Sequence, residues 1–237
     1  MRKRSYLLAI FLLVISLCLL RFRGLHNNYK VEVAKSIALI EQRVDDEKKI
    51  IDELKHTYNN DEIVGILEIE NTDLKVPIVQ SQDNKKYLTK DILGNKNRSG
   101  TPFLDYRVDI NDSNKLLIYG HNSSNKEVPF TRLENYYDKD YFDNHRYITL
   151  KTDEKIVKYE IFSVYVETGD WSYMKVKFEN EEEWFEHLKM LKNKSLYGTG
   201  VDIDKSDQIL ILQTCSRKQE YKKYKYKYLL IISRRVN

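Results

Sequence analysis

Two side chains of this sequence combine nucleophilic and acid–base chemistry at positions where apolar runs end. Cys215 follows the strand-like run Ile209–Thr214, precedes a polar stretch, and is the only cysteine outside the apolar N-terminal segment. His121 follows the run Leu116–Gly120 in the same way. Residues at the end of a strand that opens into a polar loop are commonly presented for function. A thiol and an imidazole are the minimum for nucleophilic acyl transfer, with the thiolate as the attacking species.

Each of these two residues also has a structural interpretation that the sequence alone leaves open. A lone thiol is either an inert filler of a packed interior or a reactive group, and a histidine can simply cap a strand end. The other histidines have weaker contexts: His26, His56, His145 and His187. Unperturbed pKa values of about 8.5 for Cys and 6.5 for His leave only about 1% of such a pair as thiolate and imidazolium. Such a site therefore needs a further basic group near Cys215.

Short apolar runs separated by polar turns indicate the elements that position both side chains. Their regular spacing predicts a mainly β domain, either a closed barrel or a sandwich. The runs are Ile63–Ile69, Leu74–Val79, Leu116–Tyr119, Tyr147–Leu150, Ile156–Val166, Gln208–Leu212 and Tyr228–Ile232. The segment Glu181–Lys192 interrupts this pattern, because its apolar residues have the spacing of a helix. We predict a helix there, with Asn180 as its N-cap. A second, charged helix is predicted over Val31–Tyr58.

The composition narrows the class of protein. The 237 residues include 40 bases and 36 acids, a formal net charge of +4. Five of the bases and none of the acids lie in residues 1–24, which leaves a net charge of −1 on the rest of the chain. Nucleic-acid binding is disfavoured, because it would require an excess of Lys and Arg in the folded domain. With only 2 cysteines, a disulfide-stapled scaffold is excluded.

The N-terminus has the pattern of a membrane anchor. Basic residues Arg2–Arg4 precede the apolar run Tyr6–Leu20, and no small-residue cleavage site follows, as a cleaved signal peptide would require. The basic cluster favours a cytoplasmic N-terminus and a single membrane pass, with the later residues outside the cell. We therefore expect a basic tip and transmembrane anchor over residues 1–24. A helical membrane-proximal segment over 25–60 and a β domain over 61–237 would follow.

Four motifs stand in a fixed order along the β region. They are Val76-Pro-Ile-Val-Gln80, Gly100-Thr-Pro-Phe-Leu-Asp-Tyr-Arg107, Tyr119-Gly-His-Asn122 and Leu212-Gln-Thr-Cys215, and Phe130 and Leu133 follow the third motif. This order resembles the class B sortases, membrane-anchored cysteine transpeptidases of Gram-positive bacteria. The helix predicted at Glu181–Lys192, between the sixth and seventh strands, looks like the insertion that marks class B.

The resemblance implies an eight-stranded sortase β-barrel with N-terminal helices and that inserted helix. It implies Cys215 as the nucleophile and His121 as the general acid/base. The implied substrate is the sorting signal of a surface protein, with a short Pro-x-Thr core that is cut after threonine. The implied acceptor is an amine of a cell-wall precursor or of a pilin, and the sequence does not choose between them. No metal or cofactor is implied.

Two departures from the family pattern lie near the cysteine. The family usually has Ser two places before it, where this chain has Gln213, and an arginine at the start of the final strand. Alignment without gaps puts Tyr228 at the arginine position, and a shift by one puts Lys227 there. Lysine keeps the charge and loses the guanidinium fork. Lys227 is the favoured replacement, Lys225 is a further candidate, and Arg217 lies too close to the cysteine in sequence.

The same sequence features leave two other functions open. A sortase-like surface protein that binds peptide with weak or no turnover is the alternative that the missing arginine favours. An unrelated β-domain adhesin or wall-binding module is a third interpretation. The adhesin interpretation predicts that Cys215 and His121 lie far apart, well beyond the roughly 3 Å contact that a catalytic pair needs.

Overall fold

The computed structural model describes residues 49–124 and 127–236. Helix α1 covers residues 49–58 in the described part of the chain, and α2 (Lys139–Asn144) and α3 (Glu181–Asn193) follow later. Short 3-10 segments lie at Lys86–Leu88, Pro129–Tyr137, Trp171–Met174 and Gln219–Tyr221. The strands are β1 (Ile63–Ile69), β2 (Lys75–Val79), β3 (Phe103–Leu104), β4 (Lys115–Tyr119), β5 (Tyr147–Lys151), β6 (Ile156–Glu167), β7 (Ile209–Cys215) and β8 (Tyr228–Arg235).

These strands close into a barrel in the order β1, β2, β3, β4, β7, β8, β6, β5. Neighbouring strands are antiparallel, except that β2 pairs with β3 and β4 pairs with β7 in parallel. Helix α3 lies between the sixth and seventh strands, so the predicted eight-stranded barrel with its inserted helix is confirmed. The parallel pairing of β4 with β7 matters most for function, because parallel neighbours end at the same edge of a sheet.

The central strands are apolar on both faces because each face packs against a separate core. In β7, Leu210 and Leu212 belong to one buried cluster, and Ile209 and Ile211 belong to the other. All four side chains are at most 1% exposed. Alternation across the strand sends successive side chains to opposite faces, so a strand between two cores is a continuous apolar run.

Helix α3 covers the second of these cores. Asn180 caps it, because the Asn180 side chain accepts a hydrogen bond from the backbone N–H of Glu183, as the sequence predicts. Trp184, Leu188 and Leu191 are buried at helical spacing in the cluster that also contains Ile211 of β7. Helix α1 contributes Ile51, which is fully buried.

The predicted membrane anchor and most of the predicted membrane-proximal helix lie outside the described residues. The structure describes that helix only over residues 49–58, where the chain is helical as expected. Across residues 49–124 and 127–236, none of the helices has the length and apolar character that a membrane span requires.

Candidate active site

The residues that carry the predicted thiol and imidazole lie at the ends of the neighbouring strands β4 and β7. The parallel register pairs Tyr119 with Gln213, and the Gly120 N–H donates to the Gln213 carbonyl at 3.0 Å. Continuing this register by two residues places His121 beside Cys215 on the neighbouring strand, and adjacent strands lie about 4.8 Å apart. Both residues also line one groove, which the wide separation expected of an unrelated adhesin would not allow.

Two further hydrogen bonds fix these strand ends to each other. The Thr214 hydroxyl donates to the Gly120 carbonyl at 2.8 Å. The Asn122 side-chain amide donates to the Cys215 carbonyl at 2.7 Å. Because one bond lies before and one lies after His121, the backbone on both sides of the imidazole is tied to β7.

Cys215 and His121 open onto one groove of about 330 Å³. Its lining is mostly apolar and aromatic, and it contains Asn84, Leu88, Phe103, Tyr119, Gly120, His121, Met174, Gln213, Thr214, Cys215 and Tyr228. Cys215 is exposed, so the interpretation of this thiol as an interior filler is wrong. A groove of this size with few polar groups is typical of a site that binds part of a peptide.

The imidazole is oriented by a backbone carbonyl. Nε2 of His121 lies 2.8 Å from the Leu88 carbonyl oxygen. A carbonyl only accepts hydrogen bonds, so Nε2 carries a proton, and Nδ1 of the neutral ring is left with the free lone pair. Gly100 packs against the ring, and a methyl group added there would lie 3.1 Å from Cδ2 of His121.

The thiol is subject to two opposing influences. Partial burial raises the pKa of Cys215, and the positive charge of Lys227 acts in the opposite direction. Burial is the larger influence, so the pKa of Cys215 lies above its ordinary value. In the resting chain the thiol is therefore protonated at neutral pH, and attack requires a base that removes this proton.

The start of β8 and the residues just before it carry the main candidates for the missing arginine. Tyr228 pairs directly with Cys215 in the antiparallel register, so both side chains lie on one face, and Tyr228 lines the groove. The Lys227 carbonyl accepts from the Ser216 N–H at 2.8 Å, and the Lys227 ammonium lies 3.3 Å from the Tyr224 carbonyl.

The two other candidate bases bind elsewhere. The Lys225 ammonium lies 5.1 Å from the ring centroid of Tyr226. The Arg217 guanidinium donates to the Ser123 carbonyl. Of the candidate bases, Lys227 is the one whose charge acts on the thiol, while Tyr228 is the residue whose side chain lies in the groove.

A buried carboxylate supports the floor of the groove. Asp105, which is fully buried, accepts from the Tyr119 hydroxyl at 2.6 Å and from the Asn84 amide at 3.0 Å. Arg107 donates to both of its oxygens, at 2.9 and 2.7 Å. Burial alone would raise the pKa of Asp105, but the hydrogen bonds from Arg107 and Tyr119 outweigh it and hold the pKa below its ordinary value. The carboxylate thus stays ionised and fixes two groove residues.

Sequence reasoning did not single out Asp105 or Tyr119, although both lie within the quoted motifs. An acid and a tyrosine inside motifs that flank a candidate histidine are the signal that identifies them. In the part of the chain that the structure describes, no group of three or more His, Cys, Asp or Glu side chains is placed to hold a metal ion.

Comparisons with known proteins agree with this geometry. The Sortase domain family model matches residues 67–234. Sortase B of Listeria monocytogenes is 33% identical over 178 residues, which are 74% of this chain and 72% of that protein. Sortase B of Staphylococcus aureus is 31% identical over 159 residues, 66% of this chain and 64% of that protein.

The similarity extends to three-dimensional structure. The crystal structure of Clostridium perfringens sortase B is similar with a TM-score of 0.70 and 29% identity, and the match covers 78% of this chain and 99% of that one. The crystal structure of a Bacillus anthracis protein described as similar to sortase B matches with a TM-score of 0.68 and 31% identity, over 78% of this chain and 82% of that one. This chain therefore belongs to the sortase family, within class B, and is an enzyme of the cysteine transpeptidase type.

Proposed function

We propose that this enzyme cuts the C-terminal sorting motif of surface proteins after threonine and transfers the new acyl end to an amine. Cys215 is the nucleophile and His121 the general acid/base. The observation that supports the proposal is the parallel pairing of β4 with β7, since His121 and the exposed Cys215 lie at the ends of these strands and both line one groove. This is the arrangement that covalent acyl transfer requires.

The first half of the reaction forms a thioester. Nδ1 of His121 takes the thiol proton of Cys215, and the thiolate attacks the carbonyl carbon of the threonine. The tetrahedral intermediate collapses, the peptide bond breaks, and the imidazolium gives its proton to the departing amine. The threonine carbonyl remains attached to the sulfur.

In the second half, an amine replaces the sulfur. The neutral imidazole of His121 takes a proton from the incoming amine as that amine attacks the thioester. The carbon–sulfur bond breaks, the sulfur of Cys215 regains a proton, and a new peptide bond joins the threonine to the acceptor. No cofactor enters these steps.

We propose that Lys227 and Tyr228, at the start of β8, divide the tasks of the arginine that the family places there. Lys227 supplies the positive charge, which favours the thiolate of Cys215. Tyr228 supplies a hydroxyl on the groove side of the strand, directly opposite Cys215 in the register. A hydroxyl at this position is a candidate donor to the oxyanion of the tetrahedral intermediate. Lys227 remains the favoured replacement for the family arginine.

The groove supports an extended apolar peptide segment as the substrate. Leu88, Met174 and Tyr228 supply apolar surface near the thiol, and Asn84 and Gln213 supply amides that can bind a peptide backbone. A proline-containing core suits such a surface because it is apolar and its backbone is restricted before binding.

The location and the acceptor are proposed from the sequence. The apolar run Tyr6–Leu20 anchors the chain in the cell membrane by a single pass, with the catalytic domain outside the cell. At that surface the acceptor is an amine of a peptidoglycan precursor or of a pilin.

A peptide-binding protein with weak turnover is the second candidate function. The raised pKa of Cys215 and the absence of an arginine at the start of β8 favour it. Binding by the groove without efficient thiolate formation would give this behaviour.

The test is an incubation of the full chain in detergent with a panel of Pro-x-Thr peptides, with and without triglycine as the amine acceptor. The proposal predicts a threonine-ended product without triglycine and a threonine–glycine product with it, and both are absent from Cys215→Ala. Peptides that bind and stay intact throughout would favour the second candidate. Peptides cut at a bond other than the one after threonine would contradict the proposed specificity.

A further inference from the structure

Lys115 is a buried amine at the start of β4, the opposite end of the strand from His121. It is 2% exposed. Its ammonium nitrogen lies 2.6 Å from the Tyr173 carbonyl and 2.8 Å from the Lys175 carbonyl. The third neighbour is Nε2 of His187 on α3, at 2.7 Å. Three hydrogen-bond partners therefore surround one lysine nitrogen, which has three positions to fill.

A second cation holds the residue between those two carbonyls. The Arg107 guanidinium donates to the Met174 carbonyl at 3.1 Å. Three consecutive carbonyl groups, 173 to 175, are thus bound by two basic side chains that belong to other elements. Carbonyl groups at the end of a short 3-10 segment have no hydrogen-bond donor within that segment. The side chains of Lys115 and Arg107 supply the donors that the local backbone lacks.

The segment held in this way forms part of the catalytic groove. The Met174 side chain lines the groove beside Cys215. The Tyr173 hydroxyl donates to the side-chain oxygen of Gln213 at 2.8 Å, and Gln213 also lines the groove. Movement of the segment would therefore shift one groove residue and release another, while Cys215 and His121 would stay on their own strands.

The surroundings of Lys115 favour a positioning role over simple packing. Burial lowers the pKa of Lys115 well below its usual range, and burial is also the largest cause that lowers the pKa of His187 to about 3. His187 is therefore neutral at physiological pH. A buried polar group without its partners is costly, so the lysine nitrogen keeps its two carbonyl contacts in one geometry.

We infer that Lys115 is a positioning residue for the peptide groove: its nitrogen fixes the carbonyls of Tyr173 and Lys175, and so places Met174 and Gln213 for peptide binding. It does not touch the reacting atoms. The inference rests on the proposed function, because the groove is taken to bind the sorting peptide.

The test compares Lys115→Met with the control Lys158→Met in the full chain. Lys158 is a lysine of β6 whose ammonium binds Glu70 at the surface, at 2.6 Å, and takes no part in the groove. Peptide dissociation constants are measured in the Cys215→Ala background, and KM and kcat in the background with the thiol. Alkylation of Cys215 by iodoacetamide reports the thiol alone, because this small reagent needs no peptide groove.

For Lys115→Met, we expect the dissociation constant and KM to rise on the order of tenfold, with kcat changed less than about threefold. The alkylation rate stays that of the parent chain, and Lys158→Met changes none of these quantities. Trypsin is expected to cut more rapidly after Lys175 and Lys177 in Lys115→Met, because the segment loses its anchor.

Unchanged peptide affinity in a folded Lys115→Met chain would overturn the inference, and so would equal losses of kcat and of alkylation rate. If Lys115→Met does not fold, Lys115→Gln is measured in the same way, since its shorter amide cannot reach both carbonyls. Normal peptide affinity without turnover in the parent chain would overturn the proposed function alone. A parent chain that neither binds nor cuts the peptides would overturn both.

Discussion

Gly120, the residue before His121, has no room for a side chain. A methyl group added there would lie 2.5 Å from Cδ2 of Phe130 and 2.7 Å from Cγ of the same ring. Carbon atoms pack best at about 3.5 Å or more, so the contact is short by about 1 Å. The Phe130 ring is fully buried in the first core and cannot simply turn away. In Gly120→Ala, either the ring or the end of β4 must therefore move by about 1 Å.

We expect two effects of Gly120→Ala. Overpacking lowers the free energy of unfolding by about 1–3 kcal/mol, measured by urea denaturation. A shift of His121 relative to Cys215 by this distance lowers kcat/KM on the order of 100-fold, measured with a sorting peptide and triglycine. The larger functional effect follows because the displaced backbone carries the imidazole.

A matched control and a rescue separate this cause from general damage. Gly198→Ala adds the same methyl group at a place with no atom within 4 Å and no positive φ, so activity is expected to stay within about twofold. Phe130→Leu makes room, and Gly120→Ala/Phe130→Leu is expected to recover at least about tenfold in kcat/KM over Gly120→Ala. Full activity of Gly120→Ala, or no recovery in the double variant, would refute the proposed packing of the strand end.

Three further predictions concern residues in and around the site. Lys227→Met removes the positive charge that lowers the pKa of Cys215, so the pH midpoint of alkylation by iodoacetamide is expected to rise. Lys225→Met is expected to leave that midpoint unchanged. The reverse result would show that Lys225 is the residue whose charge acts on the thiol. Asp105→Asn lowers the free energy of unfolding by about 2 kcal/mol, less than a fully buried pair would lose, because Arg107 is partly exposed. The pKa of Asp105 is lower in the folded chain than in the unfolded chain, so its carboxylate stabilises the fold fully above the unfolded pKa of about 4, and this stabilisation is lost as pH falls through the folded pKa. In urea denaturation at decreasing pH, the free energy of unfolding of Asp105→Asn should therefore fall less steeply than that of the parent chain. Cys215→Ala abolishes turnover and changes the free energy of unfolding by about 1 kcal/mol or less, because the thiol is exposed at a strand end; a collapse of thermal stability would contradict this expectation.

Most of the barrel could be predicted from the sequence because its strands have strong local signals. Strand β1 has the predicted bounds Ile63–Ile69, and β7 and β8 are long apolar runs that pack on both faces. Strand β3 was not predicted, because Phe103–Leu104 is too short to show any periodicity. The family resemblance implies the eight-stranded barrel, and the pairing order of its strands is not predicted because no local pattern specifies it.

The sequence identifies the site residues that lie at the ends of strands, and it does not identify those whose role depends on partners far away in the sequence. Cys215 and His121 stand where apolar runs stop, so sequence alone points to them. Lys115 also starts a strand, but a charged residue there is ordinarily solvated, and only the return of residues 173–175 over β4 buries it. The choice between Lys227 and Tyr228 depends on the register of β7 with β8, which the length and shape of the loop between them determine.

The central claim is that the sulfur of Cys215 forms a thioester with the threonine of a sorting peptide. Intact-mass measurement of the full chain, mixed with peptide in the absence of an amine and quenched in acid, tests it most directly. We predict an added mass equal to the peptide up to and including its threonine, located on Cys215, lost on addition of triglycine and absent from His121→Ala. Turnover with no adduct at any time, or an adduct on another residue, would contradict the account.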